Sequence, residues 1–144
     1  MPKSTTTVDT FASPDEFREI VLALERYPEF LPEVKRVVVH EKSAGSALAT
    51  FYVEVKVGGM DVKTEYTVRY TFKGNDISWT LDKSSTLTRN EGSWKLTETA
   101  DGETHAVYEN EITTNLPIPE DLQKLFADQE LPRMMQRFRD RAEA

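Results

Sequence analysis

From Val34 to Thr114 the chain alternates apolar and polar residues with a period of two, interrupted only at turn-forming segments and polar loops. That run constrains the fold more than any other feature, because period two marks strands with one face buried and one face wet. Val34 to Lys42 forms the first such segment, closed by Ser43-Ala44-Gly45. In the next, Ala47, Ala49, Phe51, Val53, Val55 and Val57 share one face. Gly58-Gly59 then reads as a tight hairpin turn. On the return strand Met60, Val62, Tyr66, Val68, Tyr70 and Phe72 fall on one face, and Asp61, Lys63, Glu65, Arg69 and Lys73 on the other. A slip of one residue would turn every one of these side chains over, so the register is strongly specified. Lys73-Gly74-Asn75-Asp76 leads into Ile77, Trp79 and Leu81. Trp94 and Leu96 mark a further strand, and Asp101-Gly102 the next hairpin. Ala106, Tyr108 and Ile112 lie on a last strand from about Glu103 to Thr114.

Helical periodicity flanks this run. Thr5 to Phe11 is rich in β-branched residues and reads as a strand; Ser13, Pro14 and Glu16 then stand in the order of an N-cap, first helical position and capping-box partner. Phe17, Ile20, Val21 and Leu24 form one apolar face, and the helix is expected to end at Tyr27-Pro28, with a short turn over Glu29 to Leu31. After the stiff connector Asn115 to Pro119, Leu122, Leu125 and Phe126 form one helical apolar set. Leu131, Met134, Met135 and Phe138 form a second, and Pro132 between them predicts a kink or break. With no repeat or linker in 144 residues, the expected class is a single α+β domain.

The charge balance narrows the partners. A net charge of −7 and a pI near 4.9 oppose nucleic acid and anionic lipid surfaces. No Cys is present, so disulfides and thiolate chemistry are excluded. No apolar run approaches the roughly 20 residues that span a bilayer, and the expectation is a cytoplasmic chain without stable membrane insertion. His40 and His105 are the only histidines and sit in no catalytic motif; no Gly-x-Ser-x-Gly elbow or phosphate-binding loop occurs. The expectation is therefore no catalytic set, no metal and no cofactor. Glu54, Glu65, Glu98, Glu109 and Glu111 lie within strands. Glu65 and Glu98 should face water, whereas Glu109 reaches the interior if the last strand's register is off by one, where burial would raise its pKa; Arg69 has the same ambiguity. Arg133, Arg137 and Arg141 share a helix face that reads as solvated and favourable to the helix dipole.

Three segments, Tyr27-Pro28-Glu29-Phe30-Leu31-Pro32-Glu33-Val34, Gly92-Ser93-Trp94, and Leu131-Pro132-Arg133-Met134 with Arg141-Ala142-Glu143, resemble the polyketide cyclase/dehydrase branch of the START-like superfamily. The first is similar to the coenzyme Q-binding and ribosome-association-toxin relatives. The resemblance implies a helix-grip fold: a curved antiparallel sheet of about seven strands wrapped around a long C-terminal helix, with two short helices after the first strand. It also implies a hydrophobic tunnel between sheet and helix. Strand parity would then place Phe51, Val53, Val55, Tyr66, Val68, Tyr70, Trp79, Trp94 and Tyr108 on the tunnel wall, with Met134, Met135 and Phe138 as a lid; a filled core is the competing reading. Entry is expected at the end bounded by Gly58-Gly59 and the Leu116 to Pro119 connector. The functional expectation is a carrier or sensor of a hydrophobic small molecule such as a lipid, quinone or polyketide. The alternatives are a polyketide cyclase, aromatase or dehydratase, and a module that binds a protein or the ribosome.

Overall fold

A computed structural model describes residues 3–57, 59–117, 119–121 and 131–144. The elements follow in the order β1 (Lys3–Thr10), α1 (Pro14–Leu22), a 3-10 helix (Leu24–Glu29), β2 (Val34–Lys42), β3 (Ser46–Val57), β4 (Met60–Lys73), β5 (Asp76–Lys83), β6 (Leu87–Glu98), β7 (Thr104–Thr114) and α2 (Leu131–Glu143). The strands form one seven-stranded sheet in the order β1-β7-β6-β5-β4-β3-β2, every pairing antiparallel. The sheet is curved, and α2 packs against β1 and α1. This is the expected helix-grip architecture. Its turns use glycine where φ is positive, at Gly59, Gly74 and Gly102.

The helix after β1 begins as the sequence implies. Ser13 caps it by accepting from the Glu16 backbone N–H, and the Glu16 side chain answers the Ser13 N–H. It ends earlier than expected, at Leu22, with Ala23 as C-cap. The chain then tightens into the 3-10 helix, which contains Pro28. A repeat of three residues per turn puts Leu24 and Tyr27 on one side, and both are buried. The Tyr27 hydroxyl donates to the Val21 carbonyl at 2.5 Å, closing the junction between the two helices. The α2 residues Leu131, Met135 and Phe138 are buried, with Pro132 inside the helix. Leu122, Leu125 and Phe126 lie outside the described residues.

Two departures from regular pairing shape the sheet. β2 carries an extra residue at Lys35 and again at His40, bulges that disrupt an edge strand on both sides of Val37–Val39. The β5–β6 ladder runs only from Asp76↔Lys95 to Trp79↔Gly92. Beyond it the hairpin forks: β5 stays with β4 and β6 stays with β7. The Ser84 to Thr86 connection straps the fork closed, with the Ser84 hydroxyl donating to the Glu65 carbonyl, Thr86 bonded to Thr64, and the Thr114 hydroxyl donating to the Thr86 carbonyl at 2.7 Å.

Candidate functional site

Between the concave face of the sheet and α2 lies a cavity of about 90 Å³. β3 and β4 supply Phe51, Tyr66, Val68 and Tyr70; β5 and β6 supply Trp79, Asn90 and Trp94; β7 supplies Tyr108 and Ile112. Met134 and Phe138 of α2 form the opposite side, and Tyr27, Leu31 and Val34 close one flank. The strand-borne rings run across the sheet as neighbours: Phe51 and Tyr66 are stacked at 5.4 Å, Tyr70 lies 5.7 Å from Trp79, and Tyr108 lies 5.5 Å from Trp79 and 5.0 Å from Trp94. Such cross-strand aromatic pairs stabilise a curved sheet and leave flat ring surfaces facing the space. A volume of this size is comparable to the ~150 Å³ apolar cavity that accommodates benzene, and below the ~300–1,000 Å³ of ordinary ligand pockets. A multi-ring or long-chain guest therefore requires the wall to move. Met134, unbranched and partly exposed, is the wall's most adaptable member.

Of the residues selected by parity, the structure brings Phe51, Tyr66, Val68, Tyr70, Trp79, Trp94, Tyr108, Met134 and Phe138 around the cavity. Three others stand elsewhere. Val53 is partly buried against the core, and Val55 lies past the point where β2 begins opposite Val53, on a stretch of the β3–β4 ribbon that β2 does not accompany. Parity assigns a face but not a reach. Met135 is 2% exposed and fills the core, because adjacent residues on a helix point about 100° apart and only Met134 can face the cavity. Tyr27, Leu31 and Val34, which parity could not select, enter through the 3-10 helix and its exit. Asn90 was also missed, although its signal is legible: it is a polar residue at the same strand parity as Trp94. Of the partly exposed wall residues, Ile112 lies near the end of β7 that leads to the connector, whereas Tyr66 sits midway along β4; Gly58 and Ile118 lie outside the described residues.

The polar atoms of the wall are all neutral. The Trp79 indole N–H donates to the Asn90 Oδ1 at 3.1 Å, and Asn90 is buried. Burial pushes the phenols of Tyr27, Tyr66, Tyr70 and Tyr108 far above their ordinary value, and nearby phenols raise Tyr27, Tyr70 and Tyr108 further. For Tyr66, a partly exposed residue, burial is the largest cause of the shift, with the charge of Glu33 adding to it. The unfolded chain releases these protons from pH 10 upward, whereas the folded protein keeps them. The stabilisation is thus complete below pH 10 and falls above it by ~1.4 kcal/mol per pH unit for each phenol. Tyrosinate absorbance in an alkaline titration is expected to rise for these four only together with loss of near-UV circular dichroism. Gradual ionisation near pH 10 in a protein that keeps its near-UV signal would show that the phenols are not buried.

The charged residues lie outside the cavity. Glu109 pairs with Lys3 at 3.3 Å, so the register of β7 keeps it off the interior, and Arg69 pairs with Glu41 at 3.5 Å. His40 bonds to the Thr50 hydroxyl at 2.7 Å, and His105 Nδ1 to Asp9 at 2.6 Å. Among the described residues, no cluster of three His, Asp or Glu side chains is placed to hold a metal, and no helix is long and apolar enough to cross a membrane. The arginine face of α2 is not the solvated stripe expected. Arg137 pairs with Glu33 at 3.3 Å, Arg141 pairs with Glu29, and the Arg141 guanidinium lies 5.2 Å from the Phe30 ring centroid. The segment from Tyr27 to Glu33 thereby clasps α2 over the cavity. At the helix end, Glu143 accepts from the Thr10 hydroxyl at 2.6 Å, and that bond holds its carboxyl below the usual range.

The sequence matches the family described as polyketide cyclase / dehydrase and lipid transport over residues 12–139. Among solved structures, a Thermus thermophilus protein (TTHA0849) superposes with a TM-score of 0.82 at 17% identity, covering 98% of this chain and 97% of the other. A START superfamily protein from Mycobacterium smegmatis gives 0.79 at 19% identity, covering 98% and 97%. The Zhui aromatase/cyclase from a Streptomyces species gives 0.68 at 19% identity, covering 99% and 86%. At these identities the likeness is one of fold. No curated protein matches the sequence.

Proposed function

We propose, on the premise that this chain belongs to the polyketide cyclase/dehydrase and lipid transport family, that it holds a hydrophobic small molecule in the cavity between sheet and α2, as a carrier or sensor. The observation that carries this reading is an aromatic-walled space whose polar atoms are uncharged. Transforming a ligand by acid–base chemistry requires a group that titrates near the working pH within reach of it. The described lining contains no carboxylate, imidazole or cationic side chain, and burial moves its phenols away from neutrality. This favours holding a ligand over converting it. The expected route in is the end of the sheet at the connector, where Ile112 is partly exposed.

Native mass spectrometry of gently purified protein tests the reading. A discrete mass above that of the denatured chain is expected, and Met134→Trp, a change at a partly exposed wall position, should remove it. If no extra mass is present, and the fluorescence of Trp79 and Trp94 is unmoved by quinones, fatty acids, sterols and aromatic polyketides, the cavity is packing space and the carrier reading is wrong.

A further inference from the structure

We infer that His40 is the acceptor end of a buried hydroxyl chain on the outer face of the sheet, and that its protonation releases a pH-sensitive latch behind the Phe51–Tyr66 side of the cavity. The extra residue that β2 carries at His40 brings an imidazole to Thr50, whose register partner on β2 is Val38. The ring Nε2 lies 2.7 Å from the Thr50 hydroxyl, which lies 2.6 Å from the Thr67 hydroxyl. Thr50 and Thr67 are 8% and 3% exposed, although alternation puts them on the face opposite the cavity. Each hydroxyl has one hydrogen to give. If Nε2–H donated to Thr50, Thr50 would donate to Thr67, and the Thr67 hydrogen would be buried with no acceptor among the described residues. Run the other way, from Thr67 to Thr50 to Nε2, the chain satisfies every hydrogen. That direction requires a bare Nε2 and a proton on Nδ1.

Protonation makes both ring nitrogens donors, so Nε2 no longer accepts from Thr50. His40 is exposed, and its ring has water to turn into, which leaves the Thr50 hydroxyl without its partner. On one side of the Val38–Thr50–Thr67 rung stand Arg36, over the Tyr52 ring, and Glu65; on the other stand Glu41 and Arg69, paired with each other at 3.5 Å. Lys42 donates to the Leu22 carbonyl, and Lys83 is the β5 neighbour of Thr67. The 3-10 helix packed against β2 carries Glu25, Arg26 and Glu29, the last paired with Arg141. Among the described residues none of these charged groups is hydrogen-bonded to the His40 ring, whose bond is to Thr50. The rung next to Thr50 and Thr67 is Phe51 and Tyr66, stacked at 5.4 Å on the cavity side. A change in how β3 is held on the outer face therefore acts on that ring pair through adjacent backbone, whatever occupies the cavity.

Nitrogen-15 NMR of the histidine rings in the full chain tests the chain direction. At about pH 8, His40, identified by the signals lost in His40→Gln, is expected with Nδ1 protonated and Nε2 bare. A proton on Nε2 overturns the assignment, and the latch with it. The ring-proton signals of Tyr66 test the coupling, because stacking on Phe51 makes them sensitive to small displacements of either ring. Lowering the pH from about 8 to about 5 should shift them in the unaltered protein, in step with the titration of the His40 ring. In His40→Gln, an exposed substitution whose amide offers a donor and an acceptor at either pH, they should stay in place. Equal movement in both proteins, or no movement in the unaltered one, overturns the latch and leaves His40 as a local hydrogen-bond acceptor.

Discussion

Phe138→Ala is expected to lower the unfolding free energy by about 3–5 kcal/mol, the range for removing a buried aromatic ring. Phe138 is 2% exposed, and its ring lies 5.1 Å from Phe30, 5.0 Å from Trp94, 5.4 Å from Tyr27 and 6.5 Å from Phe17. Those four partners come from α1, the 3-10 helix and its exit, and β6, so one side chain of α2 connects every layer of the fold. Truncation leaves a void that four large rings cannot fill together. In a domain of this size the melting temperature should fall by roughly 10 °C. Urea denaturation measures the loss directly. A change below about 1 kcal/mol would mean that α2 is not keyed to the sheet through this ring.

Gly92→Ala should be comparably damaging. In an ordinary strand interior, replacing glycine by alanine stabilises by roughly 0.5–1 kcal/mol, because the unfolded glycine chain has more freedom to lose. Here a Cβ would stand 2.2 Å from the Glu109 carbonyl oxygen and 2.6 Å from Trp79 Cζ2. The first contact is with backbone, which cannot rotate away, so the clash decides the sign. A destabilisation of about 3 kcal/mol, at the upper end for overpacking, is expected in urea unfolding. It should be accompanied by a changed near-UV circular dichroism as the Trp79 ring is displaced. An unchanged or raised urea midpoint would show that the strand accommodates the methyl group without strain. The Gly92-Ser93-Trp94 segment thus has a steric reason: the strand gives up a side chain so that an indole on its neighbour can turn into the cavity.

The two positions illustrate how far the sequence could be read. Strand faces are legible because a buried face forces strict alternation, and so the sequence alone groups Phe51, Tyr66, Val68, Tyr70, Trp79, Trp94 and Tyr108. What alternation does not contain is where a neighbouring strand or helix ends. Val55 has the right parity, but it lies beyond the start of β2, and Val53 packs on the core without meeting the cavity. The helix gave a different error: Met134 and Met135 look interchangeable in composition, while a turn of about 100° per residue sends only one to the cavity. The 3-10 helix was hidden by a helical pattern in which Leu24 fits both a repeat of 3.6 and a repeat of three. The ion pairs of Glu29 and Glu33 with Arg141 and Arg137 were invisible for a simpler reason, since pairing across more than a hundred residues follows from the docked helix and from nothing local.

The forked hairpin has a mechanical consequence. With the β5–β6 ladder confined to Asp76–Trp79 and Gly92–Lys95, the sheet is two leaves, β1-β7-β6 and β5-β4-β3-β2, on a short spine. The wall rings are divided between them: Trp94 and Tyr108 ride on one leaf, Phe51, Tyr66, Tyr70 and Trp79 on the other. Spreading the leaves about that spine enlarges the space between the rings without breaking either leaf's own ladders. The size of guest the protein can admit is then governed by a hinge angle, and the hydroxyl bonds of the Ser84 to Thr86 strap, together with the Trp79–Asn90 bond across the fork, set how readily that angle widens.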